Sequence, residues 1–372
     1  MKPLVLVTGG AGFIGSHIVE MLLELGYPVR VYDKLVEQVH GGRGPTHVPE
    51  GAEFIEADMR DADALRRALD GVHVVVHQAA EVGVGQSMYE IVRYSDANTG
   101  GTAVLLELLT NEPHQVQKIV VASSMSIYGE GAYFCSRDGQ VHPRLRSAEQ
   151  LARQEWEVHC PKCGQLVEPI PTPEEKPLFP TSIYAISKMD QELMCLAVGQ
   201  AYGLPIVALR YFNAYGPRQS LSNPYTGVAA IFSSRLLNGR PPTIFEDGQQ
   251  TRDFIHVTDV ARANVLALES ERANGEVLNI GTGRPTSILE VAHTLAQRLG
   301  VDIEPDIVGE YRAGDIRHCY ADISKARELL GFDARVRFEE GMGELINWVR
   351  EQEAIDRVDV ARAELERRGL TR

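Results

Sequence analysis

The sequence has no run of about 18 apolar residues, few cysteines and no excess of positive charge. Without such an apolar run, the chain is not expected to span a membrane. The net charge of −14 at pH 7 argues against nucleic acid and anionic membrane surfaces as partners. Five cysteines spread over 372 residues are not the pattern of a disulfide framework. No apolar segment of signal-peptide length precedes the first glycines, so we expect a cytoplasmic protein.

Short β-like apolar segments alternate with helical patterns up to about residue 212. The first two segments are "LVLVTGG" and "VRVYD", and the pattern continues to "PIVALRYF". Strands that alternate with helices are typical of a parallel sheet with helices on both faces. We therefore predict an α/β fold, a Rossmann-type doubly wound parallel sheet with a smaller, interleaved C-terminal substrate lobe.

The loosening of this pattern after residue 212 gives the expected domain boundaries. The first domain is expected at residues 1–212, with an insertion at about 131–172 and a returning segment at about 254–281. The second lobe is expected at 213–253 and 282–352, and a charged, solvated terminal helix at 353–372.

The stretch "TGGAGFIG" lies between the first strand and the first helix and carries Gly9, Gly12 and Gly15. Glycines in this place let the backbone approach a pyrophosphate, and the helix N-terminus supplies free amides. Asp33 ends the second strand, where a carboxylate accepts hydrogen bonds from both ribose hydroxyls and repels a 2′-phosphate. The pattern therefore predicts a dinucleotide site that prefers NAD to NADP. The alternative is a glycine-rich turn without a ligand.

In "YAISK", Tyr184 and Lys188 stand one helical turn apart on the same face. A free tyrosine has a pKa of about 10, and a nearby ammonium group is expected to lower this pKa. Ser124 ends the apolar segment "KIVVASS", where it can donate to the same substrate oxygen. Alone, a Tyr–Lys pair is more typical of two surface neighbours. Together with the glycine motif, it indicates a catalytic pair.

These motifs together resemble the extended short-chain dehydrogenase/reductase family, in its nucleotide-sugar epimerase/dehydratase group. The resemblance runs from residue 4 to about residue 345 and also rests on "ADMRD", "HQAA", "SSMSIYG", "RYFNAYGPRQ", "QTRDFIHVTDVA" and "RAGDIRHCYADISKA". It implies that Tyr184 is the catalytic base, that Lys188 binds the nicotinamide ribose, and that Ser124 orients the sugar hydroxyl. The NAD contacts that it implies, besides Tyr184 and Lys188, are Gly9, Gly12, Phe13, Ile14, Gly15, Asp33, Asp58, Met59, Gln78, Ala79, Ala80 and Asn98.

The resemblance also implies a nucleoside-diphosphate sugar as the substrate. An acidic chain needs local cations for the diphosphate, and guanidinium groups suit phosphate oxygens. Arg252 and Arg312 resemble the family's phosphate-binding pair, and Asn213 resembles its phosphate-contacting amide. The other implied substrate contacts are Ser124 and Ser126 at the sugar, Phe245 at the base and Asp315 at the nucleotide ribose.

Met125 and Ser126, which follow Ser124, bear on the reaction. Sugar 4,6-dehydratases of the group carry an Asp–Glu pair there, and related decarboxylases usually keep a Glu at the second position. Neither Met nor Ser acts as a general acid or base at neutral pH. The resemblance then implies 4-epimerisation: oxidation at C4 by Tyr184 and NAD, rotation of the 4-keto sugar, and re-reduction on the other face. The alternatives are a 6-deoxyhexose 4-dehydrogenase or ketoreductase, and a non-catalytic nucleotide-binding protein.

The insertion contains "CPKCG", which is one half of a zinc-ribbon motif. A tetrahedral site would need two ligands besides Cys160 and Cys163. Cys135 is the best third ligand, and His142 or His159 the expected fourth. Such a zinc would be structural and would pin a flap near the sugar; the alternative is an incidental cysteine pair.

An insertion with this motif also resembles a bacterial group of dTDP-L-rhamnose 4-epimerases. The substrate expected on this ground is dTDP-L-rhamnose, with UDP-glucose and UDP-glucuronate as alternatives. The family resemblance further implies a homodimer, formed through two helices of each subunit, one of which carries Tyr184 and Lys188. The apolar face of "AVLLELLT" fits that interface and fits the core equally well.

Overall fold

The computed structural model describes residues 2–42, 44–352, 356 and 358–371. The strands are β1 (Val5–Thr8), β2 (Val29–Asp33), β3 (Glu53–Glu56), β4 (Val74–His77), β5 (Lys118–Ser124), β6 (Ala132–Cys135), β7 (Gly139–Val141), β8 (Glu168–Ile170), β9 (Ile206–Tyr211), β10 (Asn213–Tyr215), β11 (Thr243–Ile244), β12 (Thr251–Arg252), β13 (Phe254–His256), β14 (Val277–Ile280), β15 (Thr286–Ser287), β16 (Asp306–Ile307) and β17 (His318–Cys319).

The helices are α1 (Phe13–Glu24), α2 (Glu37–His40), α3 (Ala62–Ala68), α4 (Val84–Ser87), α5 (Ile91–Tyr94), α6 (Gly101–Asn111), α7 (Ala148–Ala152), α8 (Ile183–Tyr202), α9 (Val228–Leu237), α10 (Val257–Glu269), α11 (Ile288–Leu299), α12 (Ser324–Leu330), α13 (Phe338–Arg350) and α14 (Val358–Arg367). A π-helical segment, Ser95–Gly100, joins α5 to α6, and a 3₁₀ turn, Met125–Tyr128, follows β5. In the part of the chain that the structure describes, no helix has both the length and the apolar character to cross a bilayer.

The central sheet has seven parallel strands in the order β14-β9-β5-β4-β1-β2-β3. In the sheet register, Val7 of β1 lies between Val31 of β2 and Val76 of β4. The strand order reverses between β1 and β4, and open α/β sheets bind ligands beyond the strand ends at such a reversal. The predicted doubly wound parallel sheet is therefore confirmed.

Alternate residues of each central strand enter two separate cores, because successive side chains point to opposite faces. Val5 and Val7 contribute to a core that also contains Ile18 of α1 and residues of α10. Leu6 points the other way, into a core built with α3, α6 and α8, to which Leu105 belongs. Helices cover both faces, so the strands read as continuous apolar runs in the sequence.

The chain returns to the central sheet after it has entered the second lobe. Helix α10 packs against α1, and β14 pairs with β9 at the sheet edge. The second lobe has a core of its own, made mainly by α9, α11 and α13 around Phe232, Leu295 and Leu345. These separate cores support our proposal that the chain divides into an NAD-binding domain and a smaller substrate lobe at about the predicted boundaries.

The terminal helix differs from the expectation of a fully solvated element. Residues 353–355, 357 and 372 of the predicted segment lie outside the described residues, and α14 begins at Val358. Ala361 and Leu365, one helical turn apart, are buried, so the prediction of solvation is wrong for this face. The charged side chains that suggested it lie elsewhere on the helix, and Arg362 forms an ion pair with Glu310 at 2.9 Å.

A fully buried imidazole on β4 links the neighbouring strand β1 to helix α6. The Nδ1 atom of His77 lies 2.7 Å from Thr8 Oγ1, and its Nε2 atom lies 2.9 Å from Thr102 Oγ1. The Thr102 hydroxyl donates to the Asn98 carbonyl oxygen, so it accepts from His77 Nε2–H. Burial, reinforced by the Lys188 ammonium, lowers the pKa of His77 to about 3. His77 therefore stays neutral in the folded protein at any pH near neutrality.

We predict that the free energy of unfolding falls as the pH decreases below about 6.5. Unfolded His77 takes up a proton in that range, whereas folded His77 does so only near its pKa of about 3, so acid favours the unfolded chain. Urea unfolding from about pH 7 to about pH 5 should show a shallower decrease for His77→Asn, by at most about 1.4 kcal/mol per pH unit.

The matched control is His293→Asn, since His293 is exposed on α11. This variant should lose stability with pH as the unmodified protein does. Equal slopes for the unmodified protein and His77→Asn would contradict the neutral, buried state of His77.

Candidate active site

A cavity of about 670 Å³ opens at the carboxyl ends of the central strands. It is lined by the glycine turn after β1, by the start of α8, by loops of the second lobe and by the tail after α13. All the sequence-predicted NAD and substrate contacts line this cavity except Asn98. Their individual roles stay predictions, but the structure brings the residues to one place.

The glycine turn leaves room for a ligand because side chains are sterically excluded from it. Gly9 has a φ of +69°, and a Cβ atom there would lie 2.8 Å from the Ala79 backbone nitrogen. A Cβ on Gly15 would overlap the carbonyl oxygen of Gly9. Gly12 is the N-cap of α1, and because glycine has no side chain, no side chain caps the first-turn amides. The first-turn amides of α1 are thus available for a diphosphate, and the residues present fit NAD.

Two carboxylates shape the far end of the dinucleotide site. Asp33 accepts hydrogen bonds from the amides of Ala11 at 3.1 Å and Leu35 at 3.0 Å, and each of its oxygens keeps acceptor capacity for a ribose hydroxyl. Hydrogen bonds from Arg60 lower the pKa of Asp58 to about 2. Both groups line the cavity, and their negative charge disfavours a 2′-phosphate.

Asn98 does not line the cavity, which corrects the predicted NAD contact. Its side chain is fully buried, accepts from the Glu81 amide at 2.7 Å and donates to the Glu81 carbonyl and to Ser187 Oγ. These partners use the carboxamide inside the protein. Asn98 therefore positions the loop around Glu81 against α8 rather than facing a ligand.

The start of α8 brings Tyr184 to the end of β5. Ser182 caps the helix by accepting from the Ala185 amide at 3.1 Å. Ser126 Oγ donates to Ser124 Oγ at 2.9 Å, so the Ser124 hydroxyl proton is free to bond to another group. Ser124 is thus oriented by its neighbour and faces the same cavity as Tyr184.

The ionisation of Tyr184 differs from the expectation. Burial raises the pKa of Tyr184, and the Ser124 side chain opposes that rise. The predicted lowering of this pKa by Lys188 is wrong for this structure, because the effect of burial dominates. The Lys188 ammonium donates to Gln191 Oε1 at 2.7 Å. Burial also lowers the pKa of Lys188 to about 8. Ser124, rather than Lys188, is the group that favours the Tyr184 phenolate here.

Gln191 is a site residue that sequence reasoning missed. Besides accepting from Lys188, its amide donates to Thr102 Oγ1 at 2.8 Å. It thereby holds the Lys188 side chain in place from one turn further along α8. Its i+3 spacing from Lys188 was a weak signal, because such pairs are common on any helix.

The opposite end of the cavity gathers the residues predicted for the nucleotide. Arg312 binds Asp315 Oδ2 at 2.8 Å and lies 4.8 Å from the centre of the Phe245 ring. Arg252 donates to the carbonyl oxygens of Ile316 and Arg317 at 2.7 and 2.9 Å. The four side chains Phe245, Arg252, Arg312 and Asp315 all line the cavity. Together they offer an aromatic ring, two guanidinium groups and a carboxylate to a nucleoside diphosphate.

Asn213 leaves hydrogen-bonding capacity for a ligand. Its Oδ1 atom is buried and has no hydrogen-bond partner within the described part of the chain, and the residue lines the cavity. Buried polar atoms are nearly always paired in folded proteins. Because Oδ1 is an acceptor, an N–H or O–H group of a ligand would complete its bonding, while the Nδ2 amide is the group that can donate to a phosphate oxygen.

The segment 358–371, which contains α14, lines part of the cavity, and the sequence did not predict this. Leu365 and Leu370 both line the cavity, and the Leu370 carbonyl accepts from the Ala313 amide at 2.8 Å. The i, i+4 spacing of Ala361 and Leu365 in an otherwise charged helix was the available signal, and it does not reveal which surface such a face covers.

The cysteines of the insertion come together in the folded chain. Ligand atoms of Cys135, Cys160 and Cys163 lie within 4.8 Å of one another and of Asp138. The expected fourth member, His142 or His159, is wrong: Asp138 stands in that place because the β6–β7 turn carries it back over Cys135.

Comparisons with known proteins agree with this geometry. The sequence profile of the NAD dependent epimerase/dehydratase family matches residues 5–149 and 162–281. The chain belongs to this family. NAD is accordingly its cofactor, as the glycine turn and Asp33 predicted, and the chain is an enzyme. The segment that the profile skips, 150–161, lies within the insertion.

Individual relatives are similar over nearly the whole chain. The dTDP-L-rhamnose 4-epimerase of Burkholderia thailandensis is 36% identical over 94% of this chain and 95% of its own length. The UDP-glucose 4-epimerase of Thermotoga maritima, solved with UDP-glucose, is 34% identical, with a TM-score of 0.75 over 94% of this chain and 99% of that one. The UDP-glucuronic acid 4-epimerase of Bacillus cereus, solved with UDP-glucuronic acid and NAD, has a TM-score of 0.75 at 29% identity over the same shares of the two chains.

We predict that Tyr184→Phe lowers kcat roughly 10²–10⁴-fold, because the phenol hydroxyl is the group expected to transfer the proton. The affinity for NAD, measured by calorimetry, should change little. Tyr202→Phe is the matched control, since Tyr202 is exposed at the other end of the same helix. An active Tyr184→Phe enzyme would rule out Tyr184 as the base.

Ser124→Ala should move the acidic limb of the kcat/KM profile to higher pH. Ser124 is the group that lowers the pKa of Tyr184, so its removal leaves the phenol harder to ionise, and kcat/KM reports ionisation in the free enzyme. A profile that keeps its position and only loses height would assign Ser124 to substrate binding alone.

Proposed function

We propose that the chain is an NAD-dependent 4-epimerase of nucleoside-diphosphate sugars. One observation carries the proposal: Tyr184, Lys188 and Ser124 share a cavity in which the next two side chains, Met125 and Ser126, supply no further acid or base. Elimination of water needs such an additional group. Oxidation and re-reduction at a single carbon needs only one group that takes up and returns a proton.

The chain's residues then divide the work at C4. NAD, when bound, accepts and later returns the two electrons of the C4–H bond. Tyr184 Oη takes the proton of the C4 hydroxyl and gives it back to the same oxygen after the 4-keto sugar has turned over. Ser124 donates a hydrogen bond to that oxygen, since Ser126 already supplies the proton that Ser124 accepts. Lys188 binds the nicotinamide ribose.

Rotation of the sugar requires that the two ends of the substrate be held differently. Arg252, Arg312 and Asn213 hold the diphosphate, while Phe245 and Asp315 hold the base and the ribose. Binding energy at this remote end retains the substrate while the sugar moves. The net cofactor consumption is zero, so NAD stays with the enzyme between turnovers.

The substrate that we propose is dTDP-L-rhamnose, with dTDP-6-deoxy-L-talose as the product. The B. thailandensis relative with that name supports this choice, as does the insertion with its cysteine motif. Met125 also supports it, because an apolar side chain beside Ser124 in the cavity suits the methyl group of a 6-deoxy sugar better than a carboxylate. The names of the two solved relatives make UDP-glucose and UDP-glucuronate the alternatives.

Proton NMR of each nucleotide sugar with the purified enzyme and catalytic NAD tests the proposal. We expect dTDP-L-rhamnose to give a second sugar spin system with altered H4 couplings. The ultraviolet absorbance of NADH should not increase. Tyr184→Phe serves as the inactive control.

Other products would change the assignment. Conversion of UDP-glucose or UDP-glucuronate instead would keep the reaction and change the substrate. A 4-keto product with an equal amount of NADH would make the chain a dehydrogenase. No conversion of any of the three, with NAD bound, would refute the proposed substrate set.

We further propose that the enzyme forms a homodimer through α8 and α6. Ile186 and Leu193 of α8 are 40% and 49% exposed. They stand two turns apart on the same face of this helix and so form one exposed apolar surface. Most of the apolar residues of α6 lie in the core, so α8 supplies the larger part of the apolar surface. Such an exposed apolar face is typical of an interface.

Light scattering should give a dimer for the unmodified chain and a monomer for Leu193→Glu, because a buried unpaired carboxylate destabilises an interface. Val360→Glu, at a residue 73% exposed on α14, is the control and should stay dimeric. A monomer for the unmodified chain would contradict the proposal.

A further inference from the structure

Four ligand atoms meet in the insertion at distances characteristic of a metal site. Cys135 Sγ lies 3.5 Å from Cys163 Sγ and 3.7 Å from Asp138 Oδ2. Cys160 Sγ lies 3.3 Å from the same carboxylate oxygen. With Zn–S of about 2.3 Å and Zn–O of about 2.0–2.2 Å, neighbouring ligand atoms of a tetrahedral zinc lie about 3.5–3.8 Å apart. Three of the six separations between the four atoms are close to these values, and all six are within 4.8 Å, so small shifts would bring the four atoms onto one ion.

The backbone around Cys160 and Cys163 has the form of a metal-binding turn. The Gly164 amide donates to the Cys160 carbonyl oxygen at 2.9 Å, and Gly164 has a φ of +76°. The Lys162 amide points at Cys160 Sγ from 3.4 Å. Amides directed at a sulfur stabilise its thiolate form, which is the form that binds a metal.

The three thiols are not arranged as a disulfide. All five cysteines are free, and the 3.5 Å between Cys135 Sγ and Cys163 Sγ is well above the roughly 2.05 Å of an S–S bond. The local core is also small: Tyr133, Val141, Val158 and Val167 pack with the cysteines in a cluster of their own. Small units with so little apolar burial usually need a disulfide or a metal to fold stably.

We propose that Cys135, Asp138, Cys160 and Cys163 bind a structural Zn²⁺ and that this ion fixes the wall of the cavity at the nucleotide end. Three thiolates and one carboxylate give a closed tetrahedral site with no open position for catalysis. Binding displaces the thiol protons to solvent. The zinc site itself is independent of the proposed function, whereas the effect of the ion on the nucleotide end of the cavity rests on that function.

Two ionic side chains of the insertion connect the cluster to the wall. Glu157, close before Cys160 in the chain, binds Arg317 at 2.5 Å and His318 at 3.3 Å. Arg146 forms two hydrogen bonds with Glu246, at 2.9 and 2.8 Å. Both arginines are buried, so these contacts are geometrically demanding.

The same contacts reach the residues that line the cavity. Arg317 also binds Asp247 at 2.6 Å and Glu246 at 3.0 Å, and Arg146 approaches the Asp315 carbonyl oxygen at 3.3 Å. The loop 245–247 carries Phe245, whose ring lies under Arg312. Loss of order in the insertion therefore releases the loop that holds the nucleotide.

Metal content is the first test. The reduced, full-length protein, purified and then dialysed, should contain about one zinc ion per chain by mass spectrometry of metals. Cys160→Ser with Cys163→Ser should lose it, while Asp138→Cys, which completes a four-cysteine site, should retain it. Cys195→Ala is the matched control, because Cys195 lies in the sheet core away from the cluster.

Cobalt substitution should give the visible bands of a tetrahedral thiolate site in the unmodified protein and none in the double variant.

Three results would overturn the metal assignment. They are no metal after incubation with excess zinc, iron in place of zinc, or a mass lower by two hydrogens that shows a disulfide between cluster cysteines. Asp138→Cys keeps the test decisive if the double variant does not fold, since a chain that binds zinc through these residues must tolerate the added thiolate.

Hydrogen exchange tests the coupling without any substrate. The amide of Arg317 is protected by donating to Glu130 at 2.8 Å, and that of Glu246 by donating to Glu310 at 2.7 Å. Chelation of zinc should speed exchange about tenfold or more in 245–247 and 315–318, since each 1.4 kcal/mol of lost local stability is tenfold. Faster exchange confined to 131–172 would overturn the coupling.

Calorimetry with UDP and dTDP then separates the two proposals. Zinc removal should weaken binding of the nucleotide about tenfold, the size expected for one charged hydrogen bond, and leave NAD affinity unchanged. If the zinc-loaded enzyme binds neither nucleotide, the proposed function fails, while the exchange result still decides whether zinc orders the wall.

Discussion

A buried ion pair between Arg210 of β9 and Glu192 of α8 fixes α8, the helix that carries Tyr184 and Lys188, on the central sheet. The guanidinium donates two hydrogen bonds to the carboxylate, at 2.9 and 2.6 Å, and both residues are almost fully buried. Removing one partner of such a pair leaves an unpaired buried charge at a cost of about 3–5 kcal/mol. Sliding or turning of α8 on the sheet would break these two hydrogen bonds, so the pair opposes both movements. Tyr184 and Lys188 lie on the first turns of α8, so the same ion pair fixes their positions relative to the sheet.

The same pair orients the serines at the end of β5. Ser123 Oγ donates to Glu192 Oε2 at 2.6 Å, so Ser123 is committed to the ion pair. Successive residues of a strand face opposite ways, and Ser124 consequently turns toward the cavity. Arg210 also donates to Tyr128 Oη at 2.8 Å, which anchors the 3₁₀ turn behind Ser126. One interaction thus places the Ser124 hydroxyl, Tyr184 and Lys188 relative to one another.

The sequence predicted the parts of the site in which short spacing determines geometry. The glycine turn, Asp33 and the Tyr184–Lys188 spacing are local patterns, and the sheet follows from the alternation of apolar segments with helices. Asn98 was misplaced because its motif position does not reveal which way the carboxamide points. The predicted lowering of the Tyr184 pKa was wrong because burial raises this pKa, while the Lys188 ammonium donates to Gln191. Burial and side-chain partners of this kind are set by tertiary contacts, which spacing does not encode.

The loop 245–247 shows most clearly what lies beyond sequence reading, because two distant segments hold it from opposite sides. From the insertion, Arg146 binds the Glu246 carboxylate. From the other side, the Glu246 amide donates to the carbonyl of Glu310, and the Glu310 carboxylate binds Arg362 of the terminal helix. Neither partner is near Phe245 in the chain, and each looks like an ordinary surface charge in the sequence. Both segments lie outside the central sheet, so the proposed binding of the nucleotide by this loop can change with them while the end of the cavity at Tyr184, fixed by Arg210 and Glu192, stays as it is.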